Sequence, residues 1–203
     1  MSNPKTAHSI GPKPVAKDGW VHKCDLDDYL GRHLPVPTQV VSRKLHSGAP
    51  FDITLPLMGA SGIECRSGGA TNDYQVVFTF PSPVTFGGGA VTEGEGKVSS
   101  SSGTGTTTLT ANLTGITNAQ RITITLFGVN NGTATVNVAV QMGVLVGDTN
   151  GNGAVNAGDV AQTKSRIGQT VDATNFRSDV NANGAINAGD VANIKSHIGT
   201  GLP

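Results

Sequence analysis

Two stretches of this 203-residue chain hold residue types and spacing that could do chemistry, and they are copies of one another. Asp148-Thr-Asn-Gly-Asn-Gly-Ala-Val-Asn-Ala-Gly-Asp159 returns 31 residues later as Asp179-Val-Asn-Ala-Asn-Gly-Ala-Ile-Asn-Ala-Gly-Asp190. Extended through Gly168 and Gly199, the copies agree at 15 of 21 positions. Each puts oxygen-bearing side chains at loop positions 1, 3, 5, 9 and 12, a glycine at 6 and a branched aliphatic at 8. That spacing suits calcium. A hard divalent cation takes about six or seven oxygens, so a twelve-residue loop must curl around it, and a glycine at position 6 makes the sharp turn without a Cβ clash. Gly153 and Gly184 stand there. Position 7 offers a main-chain carbonyl whatever its side chain, so Ala154 and Ala185 are acceptable. One Asx-Gly cluster would be no more than a turn, whereas two in register, with identical Asn-Ala-Gly-Asp-Val-Ala continuations, argue for two ions.

Each loop offers two carboxylates, Asp148 with Asp159 and Asp179 with Asp190, beside neutral asparagines. Asp at position 12 is also shorter than the bidentate Glu of intracellular sensors. The expected affinity is micromolar or weaker, suited to extracellular calcium, with the ion structural rather than signalling. The elements that must position these residues follow each loop. Asn156 and Asn187 are placed to cap helices ending at Gly168 and Gly199. Val160 and Ile167 in the first, and Val191, Ile194 and Ile198 in the second, predict one buried stripe per helix, with Lys164-Ser165 and Lys195-Ser196 opposite. Val155 and Ile186 are expected to pair across the loops, and Asp172 to Arg177 to form a short helix whose Phe176 plugs a small core.

Paired loop-helix repeats of this kind resemble dockerin domains, in which two calcium loops each lead into a helix and the duplicated face grips a cohesin module. The resemblance covers residues 146–203. It implies two calcium ions held by Asp148, Asn150, Asn152 and Asp159, and by Asp179, Asn181, Asn183 and Asp190, with main-chain oxygens from Ala154 and Ala185. Loop positions 10 and 11, which usually carry a hydroxyl pair that reads the cohesin, are here Ala157-Gly158 and Ala188-Gly189. The stretch from Phe51 to Met142, with Gly62-Ile-Glu-Cys-Arg-Ser-Gly-Gly69 and Tyr74-Gln-Val-Val-Phe-Thr-Phe80, also looks like a β-module found before dockerin repeats in large secreted bacterial proteins.

Upstream of the repeats the apolar period is two. Phe51, Ile53, Leu55 and Leu57 alternate with Asp52 and Thr54, the pattern of a half-buried strand. Similar signals at Ile63 to Arg66, Tyr74 to Phe80, Val84 to Phe86, Leu109 to Leu113, Ile122 to Leu126 and Val136 to Met142 give about seven short strands. The expected architecture is mainly β with a small α domain: an immunoglobulin-like antiparallel sandwich over 47–143 followed by calcium loop-helix repeats over 144–203. Residues 1–46 hold five prolines, four of five histidines and no sustained apolar period, and are read as an extended arm with one helix candidate, Asp25 to Gly31. The last strand reaches loop 1 without a Pro/Ser/Thr-rich linker, so the two modules are expected to dock as one piece.

Cys24 and Cys65 permit one disulfide in an oxidising compartment or two buried thiols in a reducing one. The hydroxyl tract with Ser99, Ser100, Ser101, Ser102, Thr104, Thr106, Thr107 and Thr108 is a flexible strand connection or a site for O-linked glycans. Asn112 and Asn131 begin N-glycosylation triplets that count only on an external protein.

Fourteen basic and fourteen acidic residues cancel, which argues against an electrostatic nucleic-acid binder, and no apolar run approaches the roughly 18 residues of a membrane span. No catalytic constellation emerges: Glu93 and Glu95 lie two apart in a Gly-rich turn, Gly96-Lys97 lacks the rest of a phosphate loop, and Ser61 misses the nucleophile elbow. The sequence therefore predicts a non-catalytic protein of the cell surface or exterior, with three readings. One is a structural subunit that self-associates, into fibres through the arm of residues 1–46. The second is an attachment module for a cohesin-like partner. The third, a carbohydrate-binding module, is weakened by a single tryptophan, Trp20.

Overall fold

The computed structural model describes residues 33–203. Nine strands precede the repeats: β1 (Gln39–His46), β2 (Ala49–Thr54), β3 (Gly62–Glu64), β4 (Tyr74–Val84), β5 (Gly88–Glu93), β6 (Lys97–Ser102), β7 (Thr106–Thr114), β8 (Gln120–Asn130) and β9 (Thr135–Val144). They form a five-stranded sheet, β2-β1-β4-β7-β6, and a four-stranded sheet, β3-β9-β8-β5. Two helices follow, α1 (Ala157–Arg166) and α2 (Ala188–Ser196). The molecule is thus mainly β with a small α region at its carboxyl end, as expected.

Alternation builds the core. Val76, Phe78, Leu109, Ala111 and Leu113 from the first sheet meet Ile122, Ile124, Leu126, Val140 and Met142 from the second, all buried in one cluster. Each of these side chains other than Ala111 contributes roughly 1.5–3 kcal/mol by leaving water. Two expectations change. The strands number nine rather than about seven: β1, β5 and β6 were hidden, β1 in a Pro- and His-rich segment, β5 behind Gly88-Gly89 and β6 in the serine tract, while Val84 to Phe86 is no strand of its own, Val84 being the end of β4. The sandwich is also not wholly antiparallel, since β3 pairs parallel with β9 through Gly62↔Met142 and Glu64↔Val144. Gly62 allows that placement, for a Cβ there would lie 2.2 Å from the Thr54 carbonyl oxygen.

The arm expected over residues 1–46 ends earlier than read. Residues 39–46 are β1, hydrogen-bonded between β2 and β4, with Val40 and Val41 buried. The first 32 residues, including the helix candidate Asp25 to Gly31, lie outside the described residues. The serine tract is no flexible connection: Ser99 to Ser102 lie in β6, and Thr106 to Thr108 open β7, joined by a turn through Thr104.

β9 runs on to Val144, and only Leu145 to Gly147 separate it from Asp148. A second buried cluster follows, with Leu145, Val146, Val155, Val160, Val180, Val191 and Ile194, against which Ile63, Ala119 and Leu202 pack. Ile63 and Ala119 come from the β-module, so the small core of the repeats is closed partly by the sandwich. Phe176 does not plug it. Half-buried, it stacks on Phe51 of β2 at 5.3 Å between ring centroids and lies 5.3 Å beneath the Arg66 guanidinium. The predicted helical stripes are also shorter than read, because Ile167 and Ile198 lie beyond the helices and are 47 % and 53 % exposed.

Candidate metal centre

Both loops fold by the same hydrogen-bond ladder. In the first, Asp148 Oδ1 accepts from the N–H groups of Gly151 (2.8 Å) and Asn152 (3.0 Å), and Oδ2 from Gly153 (2.8 Å). Asn150 Oδ1 accepts from Asn152 N–H and Asn152 Oδ1 from Ala154 N–H, both at 3.0 Å. Asp159 closes the circle, its Oδ1 taking Asn150 N–H at 3.2 Å. The second loop repeats this: Asp179 Oδ1 takes Asn183 N–H (3.1 Å) and Oδ2 takes Gly184 N–H (2.7 Å), while Asp190 Oδ1 takes Asn181 N–H (3.2 Å). Short Asx side chains do this readily because they bond the backbone two residues on.

The closing carboxylates also begin the helices. Asn156 and Asn187 cap α1 and α2 through the N–H of Gly158 and Gly189, each at 2.7 Å, and Asp159 and Asp190 answer from the third helical position, accepting Asn156 and Asn187 N–H at 2.9 Å. The capping asparagines thereby commit their side-chain oxygens to the helices. Val155 and Ile186 are buried, though each bonds the exit of the opposite repeat rather than the other loop. Val155 N–H donates to Thr200 O and its carbonyl accepts from Gly199, while Ile186 O accepts from Gly168 N–H. The two repeats thus hold each other shut at both ends.

Asp148, Asp159, Asp179 and Asp190 are all fully buried, yet among the described residues no Lys or Arg pairs with any of them. Burial pushes the Asp190 carboxyl above its ordinary range, and the negative charge of Asp179 adds to the rise. Buried carboxylates without a compensating cation are costly. Each loop gathers two of them with amide and main-chain oxygens, and among the described residues no group of three His, Cys, Asp or Glu side chains is placed to hold a metal ion by itself. This oxygen-rich donor set of low charge fits a hard divalent cation.

The structure brings together, loop by loop, the ten residues read as ligands. Residues 146–199 match the family model of the dockerin type I domain. No curated protein and no solved structure matches the chain. Dockerin type I domains bind calcium, in accord with the donor set of both loops. On the dockerin region the two repeats present related surfaces: Ala157-Gly158, Lys164-Ser165 and Ile167 are exposed in the first, and Ala188-Gly189, Lys195-Ser196 and Ile198 in the second.

Sequence reasoning missed the residues that fix the dockerin region to the sandwich. The turn after β1, with Ser47 at φ 50° and Gly48 at φ 97°, carries Ser47 against loop 2, where a Cβ on Gly184 would lie 2.5 Å from the Ser47 Cβ. Ser67 N–H of the β-module donates to Val180 O across the junction, while Arg177 ties its own segment to loop 1 within the dockerin region, donating to the carbonyls of Thr149 and Asp148, both at 3.0 Å. Beneath runs a buried polar chain. Ser42 Oγ donates to Glu64 Oε2 at 2.5 Å, Arg66 holds both Glu64 oxygens at 2.7 and 2.8 Å, and Arg66 Nη1 lies 3.2 Å from His46 Nε2. His46 Nδ1 lies 2.8 Å from Asp179 Oδ2. Burial disfavours the charge on Glu64, but the Arg66 guanidinium outweighs it and holds that carboxyl down at about 2. No spacing in the chain announces His46, which stands 133 residues from its partner.

Of the remaining candidates, Cys65 is a buried thiol pushed up to about 11 by burial, its Sγ 3.7 Å from the Arg177 carbonyl, whereas Cys24 lies outside the described residues. Asn112 stands in β7 with its amide engaged by Gln75 and Ser100, both at 2.9 Å. Asn131 lies in the β8–β9 turn, its Oδ1 accepting from Thr133 and Ala134 N–H.

Proposed function

We propose that this chain is a non-catalytic, calcium-stabilised attachment module of the cell exterior, in which the dockerin region binds a cohesin-like partner. The β-module, read as immunoglobulin-like with β3 as its parallel departure, serves as the base. The observation that carries the proposal is the duplicated loop-helix pair within residues 146–199, with four buried carboxylates arranged in two matching loops. The exposed Ala-Gly, Lys-Ser and Ile sets on the two repeats supply a surface that could meet a partner in either of two related orientations. Without a hydroxyl pair at loop positions 10 and 11, recognition falls to the lysines and isoleucines. The self-associating subunit, the first of the three readings of the sequence, stands second here, and its arm falls largely on residues outside those described.

The test is biolayer interferometry of the full chain against a panel of immobilised cohesin modules, with calcium and with a chelator. Binding to at least one module that disappears on chelation is the expected result. A chain that binds none while light scattering shows calcium-dependent growth in particle mass would instead favour self-association.

A further inference from the structure

The two loops share a ladder and differ in what touches them from outside. Among the described residues the Asp148 carboxylate receives hydrogen bonds only from its own loop, whereas Asp179 Oδ2 receives Gly184 N–H at 2.7 Å and also the buried ring of His46 at 2.8 Å. The tautomer of that ring follows from its other neighbour. Arg66 has donors only, so His46 Nε2 must offer Arg66 Nη1 a lone pair, and the ring proton must sit on Nδ1, facing Asp179. Arg66 is in turn held by both Glu64 oxygens, by its bond to the Phe51 carbonyl at 2.8 Å and by its bond to the Ser42 carbonyl at 3.1 Å. The ring itself stands edge-on to Phe51 at 5.1 Å and to Phe176 at 6.1 Å. Every atom that could let His46 turn away is engaged.

We infer that the sandwich completes the second calcium loop: His46, from the end of β1, is a positioning residue that holds the first carboxylate of that loop, and the two calcium sites are therefore unequal. A fixed donor behind a metal-binding carboxylate selects its orientation, and outer partners of this kind are worth about 10- to 100-fold in metal affinity. Loop 2 has particular need of such a support. Its fourth position is Ala182, held at φ 56°, where loop 1 has Gly151 at φ 75°, and left-handed backbone costs alanine more than glycine. The inference rests on calcium loading of the two loops proposed above.

The amides of Gly153 and Gly184 each donate to the first carboxylate of their own loop, at 2.8 and 2.7 Å, so each reports its own site. The experiment is a calcium titration of the ¹⁵N-labelled, chelator-stripped full chain, followed at both amides by NMR. His46→Phe keeps a ring against Phe51 and Phe176 without the donor, and should weaken the transition at Gly184 by about 10- to 100-fold while leaving Gly153 nearly unmoved. His46→Asn returns an amide donor near the Nδ1 position and should recover most of the loss. An unchanged Gly184 midpoint in His46→Phe, equal shifts at both glycines, or no recovery in His46→Asn would each overturn the inference. Should His46→Phe not fold, the wild-type chain still decides: the His46 ring nitrogens should shift in step with Gly184 and not with Gly153, and a ring indifferent to calcium overturns the inference. Silence at both glycines overturns the calcium reading itself, a result distinct from all of these.

Discussion

Gly153 and Gly184 occupy the same loop position at nearly the same φ, 86° and 85°, and so look interchangeable. Their surroundings separate them. A Cβ at Gly153 meets nothing within 4 Å, while one at Gly184 runs into Ser47. Gly153→Ala should therefore cost only the left-handed backbone penalty, about 1–2 kcal/mol. Gly184→Ala should add the displacement of the β1–β2 turn, for about 2–4 kcal/mol in all. Urea unfolding in excess calcium measures both, and equal losses would mean that Ser47 yields freely. The need for glycine was legible in the repeat because position 6 must turn sharply. The difference between the copies was not, because Ser47 lies far away in sequence and nothing in its own neighbourhood marks it as a contact.

At the scale of elements, the strands with clean alternation were readable and the edge or polar ones were not. β4, β7, β8 and β9 bury one face against the opposite sheet, so their sequences alternate. β6 buries nothing fully, and its serines carry no periodic apolar signal. The helices were legible from their caps, since Asn156 and Asn187 act through bonds local in sequence. Their partners were not, because closure of each repeat depends on the exit of the other. The tail after α2 illustrates this. Leu202 packs against the small core, and its N–H donates to Gly153 O. Leu202→Ala should cost roughly 2 kcal/mol, read by denaturation, and should raise amide exchange in loop 1 more than in loop 2. Equal exchange in the two loops would contradict the reciprocal closure. The Glu64–Arg66 pair belongs to the same scale, since it joins β3 to β1 through Ser42. Its carboxyl is depressed in the fold from 4.5 to about 2, so its stabilisation is present above about pH 4.5 and is lost as pH falls towards 2. The full shift corresponds to roughly 3 kcal/mol, of which about 1 kcal/mol should be gone by about pH 3.5. Glu64→Gln removes this dependence, so its deficit against the wild type should shrink between neutral pH and about pH 3.5. A constant deficit would assign the acid sensitivity elsewhere.

For the whole molecule, what matters is how far calcium is felt. The sandwich owns a complete core and would be expected to stand alone, while the dockerin region buries a small cluster that Ile63 and Ala119 help to close. Binding at about a hundredfold excess over the dissociation constant stabilises by roughly 2.7 kcal/mol for each ion, a large fraction of what so small a unit can supply. Were the modules tethered beads, chelation would melt the dockerin region and leave the sandwich transition where it was. The contacts argue otherwise. His46, Ser47, Ser67, Cys65 and Phe51 of the β-module all touch the dockerin region, so its loss would leave buried Arg66 and Glu64 facing water and strip a ring from Phe51. Calorimetry in excess calcium should show one cooperative transition, and with a chelator the sandwich itself should melt at lower temperature. Trp20 lies outside the described residues, so the sandwich is best followed at its own amides by NMR, for example Phe78 and Ile124 in its core. If those amides lose structure at the same temperature with and without calcium, the junction carries no coupling and the ions serve the dockerin region alone.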